Sequence, residues 1–270
     1  MYPSKMNKIK MLLRNPREII NYGIEKLYPA ENILKDKIYE RYKMDKLRTV
    51  DLLDVAPDFN ITVNNYSFLL GTSMVTDIAL LKYLAKSFYD CNYLEIGSWR
   101  GESLTNVAEN AKKCTSISLS EAEMRERNWS EDFINVHDLY VKNTGNIDFI
   151  KANSLTMDFN NINDKFDLIF IDGEHSYEGV LSDTKNIFNK LKNDKSIIVW
   201  HDYGKSLEEV NYTVLSAILD GIPLDEHKNL YHVSNTLCAI YIKKKFNTYD
   251  TTFPTKPNKK FTITLTAESM

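Results

Sequence analysis

From about residue 92 the chain alternates short apolar runs with amphipathic stretches. Tyr93-Leu94-Glu95-Ile96 predicts a strand that stops at Gly97. Residues 102–111 predict a helix, because Leu104, Val107, Ala108 and Ala111 fall on one face. Residues 115–119 and 147–152 predict a second and a third strand. Between them, residues 120–141 predict one helix opened by a capping box of Ser120 and Glu123. Residues 166–172 are nearly all apolar, as expected of a central parallel strand covered on both faces. Residues 177–191 predict a helix and 196–200 a fifth strand. Ser206 with Glu209 predicts another capping box, opening a helix to Leu219. Residues 231–233 and 237–242 predict a closing hairpin through Ser234-Asn235.

Strands alternating with helices predict an α/β fold, a doubly wound and mostly parallel sheet with helices on both faces. In such sheets ligands lie across the carboxyl ends of the strands. Outside this unit, residues 1–70 read as a helical segment for acceptor binding or subunit pairing, with a helix at 16–27. Its apolar positions include Met11, Leu12, Leu13, Ile19, Ile20 and Ile24. A further helix is predicted at 72–87, capped by Thr72 or Ser73. The main domain spans 71–243, and 244–270 reads as an arm or tail.

The strand ends carry the candidate chemistry. After the first strand, Gly97-Ser98-Trp99-Arg100-Gly101 permits a sharp turn close to a ligand. No Gly-Lys-Ser/Thr follows, so it is not a phosphate-binding loop of the Walker type, and the full GxGxxG is missing. The fourth strand ends in Asp172-Gly173-Glu174-His175 and the fifth in Trp200-His201-Asp202. Side by side, Asp172, His201 and Asp202 suit a hard divalent cation. His175 suits a general base. The same positions also suit plainer roles: Gly97 and Gly101 as turn residues, Asp172 as a helix cap, His201 as a backbone partner. His137, His227 and His232 show no partner at useful spacing and receive no role.

Glu95-x-Gly-x-x-x-Gly-x-Ser, followed by FDLIFIDGEHSYEGVLSD and SIIVWHDY, resembles class I S-adenosylmethionine-dependent methyltransferases. The nearest branch acts on sugars and on antibiotic or capsular glycans, with relatives among metal-dependent catechol-type O-methyltransferases. The resemblance covers about residues 70–243 and implies a seven-stranded sheet with a C-terminal antiparallel hairpin. It implies that Glu95, Gly97, Ser98 and Gly101 border the amino-acid and sulfonium end of S-adenosylmethionine. Asn153 and Ser154 would flank the adenine, and Asp172 would lie near the methyl group. In the metal-dependent relatives Asp172, Asp202 and His201 would hold Mg²⁺ or another divalent cation, with His175 as the base. Ser118 occupies the slot where the family has an acid for the ribose, with Glu121 as a substitute if the turn bends back. The implied activity is O-methyl transfer to a sugar or other small polar acceptor. The alternatives are a non-catalytic binding protein on the same fold and a metal-dependent oxygenase. A hydrolase is disfavoured, since no GxSxG elbow follows any strand.

Charge sharpens this picture. The chain has 270 residues and a net charge of -3, unevenly distributed. Residues 1–50 hold 12 basic and 6 acidic side chains, and 243–270 hold 6 and 2. The middle holds 16 basic and 29 acidic ones, a poor surface for nucleic acid. No apolar run reaches the ~18 residues of a transmembrane helix. Cys91, Cys114 and Cys238 read as buried free thiols, which predicts a cytoplasmic protein. The basic ends are the candidates for acceptor choice or a homodimer contact.

Overall fold

The computed structural model describes residues 30–141 and 144–269. The helix expected at 16–27 lies outside the described residues. The helices are α1 (Ala30–Tyr42), α2 (Leu52–Val55), α3 (Val75–Lys86), α4 (Glu102–Ala108), α5 (Glu121–Glu126), α6 (Glu131–Asn135), α7 (Tyr177–Phe188) and α8 (Tyr212–Gly221). The strands are β1 (Thr49–Val50), β2 (Asn92–Ile96), β3 (Lys113–Ser118), β4 (Ile147–Lys151), β5 (Leu168–Ile171), β6 (Ile197–Trp200), β7 (Leu230–Val233), β8 (Ala239–Tyr241) and β9 (Thr248–Tyr249).

One sheet runs in the order β4-β3-β2-β5-β6-β8-β7-β1-β9. The five strands from β4 to β6 are mutually parallel, and β8 is antiparallel to both β6 and β7. The expected seven strands are therefore present with their hairpin, and two further two-residue strands extend the edge beyond β7. Those two escaped the sequence reading because two residues are too few to show alternation. From β2 the chain steps outward to β3 and β4, then returns to β5 on the other side. The order thus reverses between β2 and β5, and a ligand crevice opens at such a switch point.

The apolar strands feed two core layers. Leu94, Ile169, Ile171, Ile198 and Trp200 pack with Val180, Ile187 and Ile218 of α7 and α8. Tyr93, Leu168, Phe170 and Val199 pack on the other face with Leu80, Leu84, Leu104 and Val107 of α3 and α4. Successive residues of β5 supply opposite layers, so the strand has no polar face. The three cysteines are buried and free. No helix among the described residues is long and apolar enough to cross a membrane.

Three local expectations are corrected. Residues 120–141 form two short helices instead of one. The Ser120–Glu123 capping box forms, but Asn128 turns left-handed at φ 59° and Ser130 caps a new helix through the Phe133 N–H. Residues 206–209 do not open a helix. They form a turn closed by the Gly204–Val210 bridge, and α8 starts after Asn211. Thr72 and Ser73 do not cap α3, because their hydroxyls bond Glu102 and Asp172. The Asp77 carboxylate takes the Met74 N–H instead, at 3.0 Å.

Residues 250–269 form no helix or strand. They are tied to the body by Lys46 on the Thr251 carbonyl at 2.9 Å and by Lys259 on Asp51.

The switch point depends on one missing side chain. Gly97 has φ +100°, and a Cβ there would lie 2.1 Å from the Asp172 carbonyl oxygen. Gly145, in contrast, has nothing within 4 Å of its would-be Cβ. Left-handed strain and overpacking together predict that Gly97→Ala costs more than about 2 kcal/mol. Gly145→Ala should stay within about 0.5 kcal/mol of the parent. Urea midpoints of the two variants check this, and equal midpoints would refute it.

Candidate active site

The β2–α4 turn is the centre of the site. The Gly97 N–H donates to the Ile117 carbonyl at 2.9 Å, which splices the turn onto β3. Glu95 is 1 % exposed. It accepts from the Tyr93 hydroxyl at 2.6 Å and the Ser103 hydroxyl at 2.8 Å. Burial nevertheless pushes its carboxyl up to about 7. The Ser98 hydroxyl is buried in the same turn without a partner. Gly101, at φ +88°, caps α4 and lies against Val141.

Arg100 clamps this turn from outside. It is buried, donates to Glu102 at 2.8 Å and to the Leu70 carbonyl at 3.1 Å, and also bonds the Thr72 hydroxyl. Its guanidinium sits 4.2 Å from the Trp99 ring centroid, and Trp99 stacks on Phe133 at 4.1 Å. Thr72 belongs to a segment that ends in Ser73, whose hydroxyl reaches Asp172 at 3.4 Å. Sequence reading missed this connection. Arg100, Glu102 and Thr72 are ordinary polar residues, and nothing in their spacing announces a shared contact.

At the ends of β5 and β6, Asp172, His175, His201 and Asp202 converge. His175 Nε2 lies 2.9 Å from Asp202 Oδ2 and 3.4 Å from Asp172 Oδ1. His201 Nδ1 lies 3.1 Å from Asp172 Oδ1 and 3.2 Å from Asp202 Oδ1, without a well-aligned hydrogen bond to either. Its Nε2 lies 3.1 Å from Asp77 Oδ2. The hydrogen bonds of Asp172 and Asp202 push His175 up to about 10. Burial opposes the charges on Asp172 and Asp202, but the two histidines outweigh it and hold both carboxyls below the usual range. Of the residues expected to hold a cation, Asp172 and Asp202 come together. The imidazole that joins them most openly is His175, since ligand atoms of Asp172, His175 and Asp202 lie within 4.8 Å of one another. His201 stands behind them, committed to Asp77.

At the ends of β3 and β4, the Ser118 hydroxyl accepts from Lys151 Nζ at 3.0 Å. Lys151 also pairs with Asp138, whose Oδ2 lies 3.0 Å from His137 Nδ1. Glu121 does not bend back. It pairs with Arg125 at 3.1 Å on an exposed face. The Asn153 N–H donates to Glu123 at 3.2 Å, and its side chain accepts from the Leu155 N–H at 3.1 Å. Ser154 neighbours the Asp183 carboxyl, which burial pushes up to about 7. His227 and His232 bond backbone carbonyls in the interior.

Comparison with known proteins gives the following similarities. Residues 94–203 match the model of a family described as a methyltransferase domain. An uncharacterised protein of Acanthamoeba polyphaga mimivirus is 28 % identical over 141 residues, half of this chain and 62 % of that one. The chain thus spans less than two thirds of that relative. Among solved structures, CalS11, a TDP-rhamnose 3'-O-methyltransferase of calicheamicin biosynthesis, is 13 % identical with a TM-score of 0.44, covering 63 % of this chain and 78 % of its own. Cofactor-bound Rv0187 from MTB is 16 % identical with a TM-score of 0.43, covering 84 % and 97 %.

The His175 geometry has a measurable consequence. Its folded value of about 10 lies above the ordinary 6.5. Its contribution to stability is therefore complete below about pH 6.5 and is lost as pH rises through about 10. The side chain is 55 % exposed, so solvent screens the effect and the slope is shallow. His175→Gln should flatten the decline between pH 7 and 10 in urea unfolding. A parent protein that declines no more steeply than the variant would contradict the charged ring.

Proposed function

We propose, for a chain whose residues 94–203 match a methyltransferase domain, methyl transfer from S-adenosylmethionine to a hydroxyl of a sugar or other small polar acceptor. One observation carries the reading. At the switch point, a glycine turn with an orphaned Ser98 hydroxyl packs at Gly97 against the backbone of Asp172, whose carboxylate belongs to a cluster with His175 and Asp202. The choice of acceptor class rests on the IDGEHSYEG and HDY blocks and their resemblance to the sugar-modifying branch.

The residues fit the cofactor. Ser98 offers an unspent hydroxyl in the glycine turn, and the missing Gly97 side chain lets that turn lie directly against the end of β5. Bound there, S-adenosylmethionine supplies an electrophilic methyl group on a sulfonium. The chain's own work is then mostly positioning of an acceptor oxygen, which is the larger part of such catalysis. The donor set of Asp172, His175 and Asp202 fits a hard divalent cation, two carboxylates with one imidazole. Such a cation would lower the pKa of an acceptor hydroxyl.

His175 has two roles that its neighbours decide. With Asp172 and Asp202 both facing it, the ring keeps its proton and orients an acceptor oxygen as a donor. Were a divalent cation held there, the ring would instead be one of its ligands beside Asp172 and Asp202. His201 is a positioning residue in either case, its ring held by Asp77.

Calorimetry with S-adenosylmethionine and S-adenosylhomocysteine tests the cofactor, and product masses test the reaction. Binding of both and a product gaining one methylene mass are expected. Asp172→Asn and His175→Gln should each lose about a hundredfold or more in turnover with unchanged circular dichroism. A chelator should reduce turnover if the cation assists. Absence of binding would favour a non-catalytic protein on this fold, and a product gaining oxygen would favour an oxygenase.

A further inference from the structure

We infer that Asp138 accepts the hydroxyls of the cofactor's ribose diol, in place of an acid at the end of β3. The inference rests on the cofactor reading proposed above and assigns a residue that the strand-end motifs do not contain.

In folds of this type, an acidic residue about 20 positions after the glycine turn bonds the ribose. Here that position is Ser118, and its single hydroxyl already accepts from Lys151 at 3.0 Å. Glu121, three residues on, is turned outward to Arg125. Ser118 offers no carboxylate, and the Glu121 carboxylate, at the exposed rim of the same cleft, is drawn to Arg125.

Asp138 reaches the same place by another route. The break between α5 and α6 lets the chain return to the glycine turn, and Asp138 itself is left-handed at φ 57°. Its N–H donates to the Trp99 carbonyl at 2.7 Å, and the Tyr140 N–H donates to the Arg100 carbonyl at 3.0 Å. Residues 138–140 are thereby stitched along the turn that opens α4. The Asp138 carboxylate then lies between that turn and the ends of β3 and β4, sharing Lys151 with Ser118.

Its two oxygens differ. Oδ2 takes His137 Nδ1 at 3.0 Å together with Lys151. Oδ1 is buried and has no partner. A buried carboxylate oxygen without a donor is costly, so an incoming donor is favoured there. Burial opposes the charge, but His137 and Lys151 outweigh it and keep the group ionised. A cleft of about 430 Å³ adjoins the carboxylate, lined by Leu119, Ser120, His137, Phe149 and Lys151 among others. An ionised carboxylate beside a partly apolar cleft suits a vicinal diol joined to a flat base.

The test is calorimetry on the full chain with S-adenosylhomocysteine and its 2',3'-dideoxy analogue. The parent should bind the diol about tenfold or more tightly than the analogue, as expected for hydrogen bonds to a charged group. Asp138→Asn should lose that preference by weakening the diol ligand alone. Asp138→Glu, which keeps the charge, should retain part of it, and melting temperatures check that each variant folds. Equal weakening of both ligands would make Asp138 a mere anchor of the turn and overturn the inference. So would a parent indifferent to the diol, or an Asp138→Asn variant with undiminished preference. A parent that binds neither ligand would instead overturn the cofactor reading itself, and this inference with it.

Discussion

Asp77 has no exposure to water, yet its carboxyl joins three parts of the fold. Oδ2 takes the Met74 N–H at the start of α3, and Oδ1 takes the Leu237 N–H in the closing hairpin at 2.9 Å. The same Oδ2 faces His201 Nε2 at 3.1 Å. A polar group this deep is tolerable only when its hydrogen bonds are made. Because they are, the His201 ring has one orientation, and its Nδ1 points at Asp172 and Asp202. The strand-end cluster is thus held from beneath by a residue of α3, outside the strand-end blocks that announce the site.

The glycine turn is held in the same manner. Gly97 approaches β5, Arg100 grips the segment ending in Ser73, and residues 138–140 run along the turn from the other side. Each contact comes from a different part of the chain. A site that must place two reacting groups requires such overdetermination, since misplacement by an ångström is costly in rate.

This explains which parts were legible. The apolar runs of β2, β5 and β6 report burial on both faces, and burial decides strand and layer together. Asp172, His175 and Asp202 were legible because charged groups directly after apolar strands cannot be core. Local rules failed where distant partners competed for the same atoms. Thr72 and Ser73 are good caps, but their hydroxyls are used by Glu102 and Asp172. The helix expected over 120–141 is interrupted at Asn128 and restarted by Ser130. Asp77 and Asp138 carried no signal, because a lone Asp in an amphipathic or turn-rich stretch reads as solvated surface.

The uneven charge of the chain now has a partial physical account. In the acidic middle, Asp77, Asp138, Asp172 and Asp202 are drawn into the crevice and its supports, where His137, His175, His201 and Lys151 face them. The basic ends are partly spent on that same middle. Arg41 pairs with Asp220 at 2.6 Å and Lys259 pairs with Asp51, while Lys46 joins one end to the other through the Thr251 carbonyl. The Arg41 side chain is largely open to water, and such a pair contributes little, about 0–1 kcal/mol. Their effect is geometric: they hold α1 and the described C-terminal residues against the body.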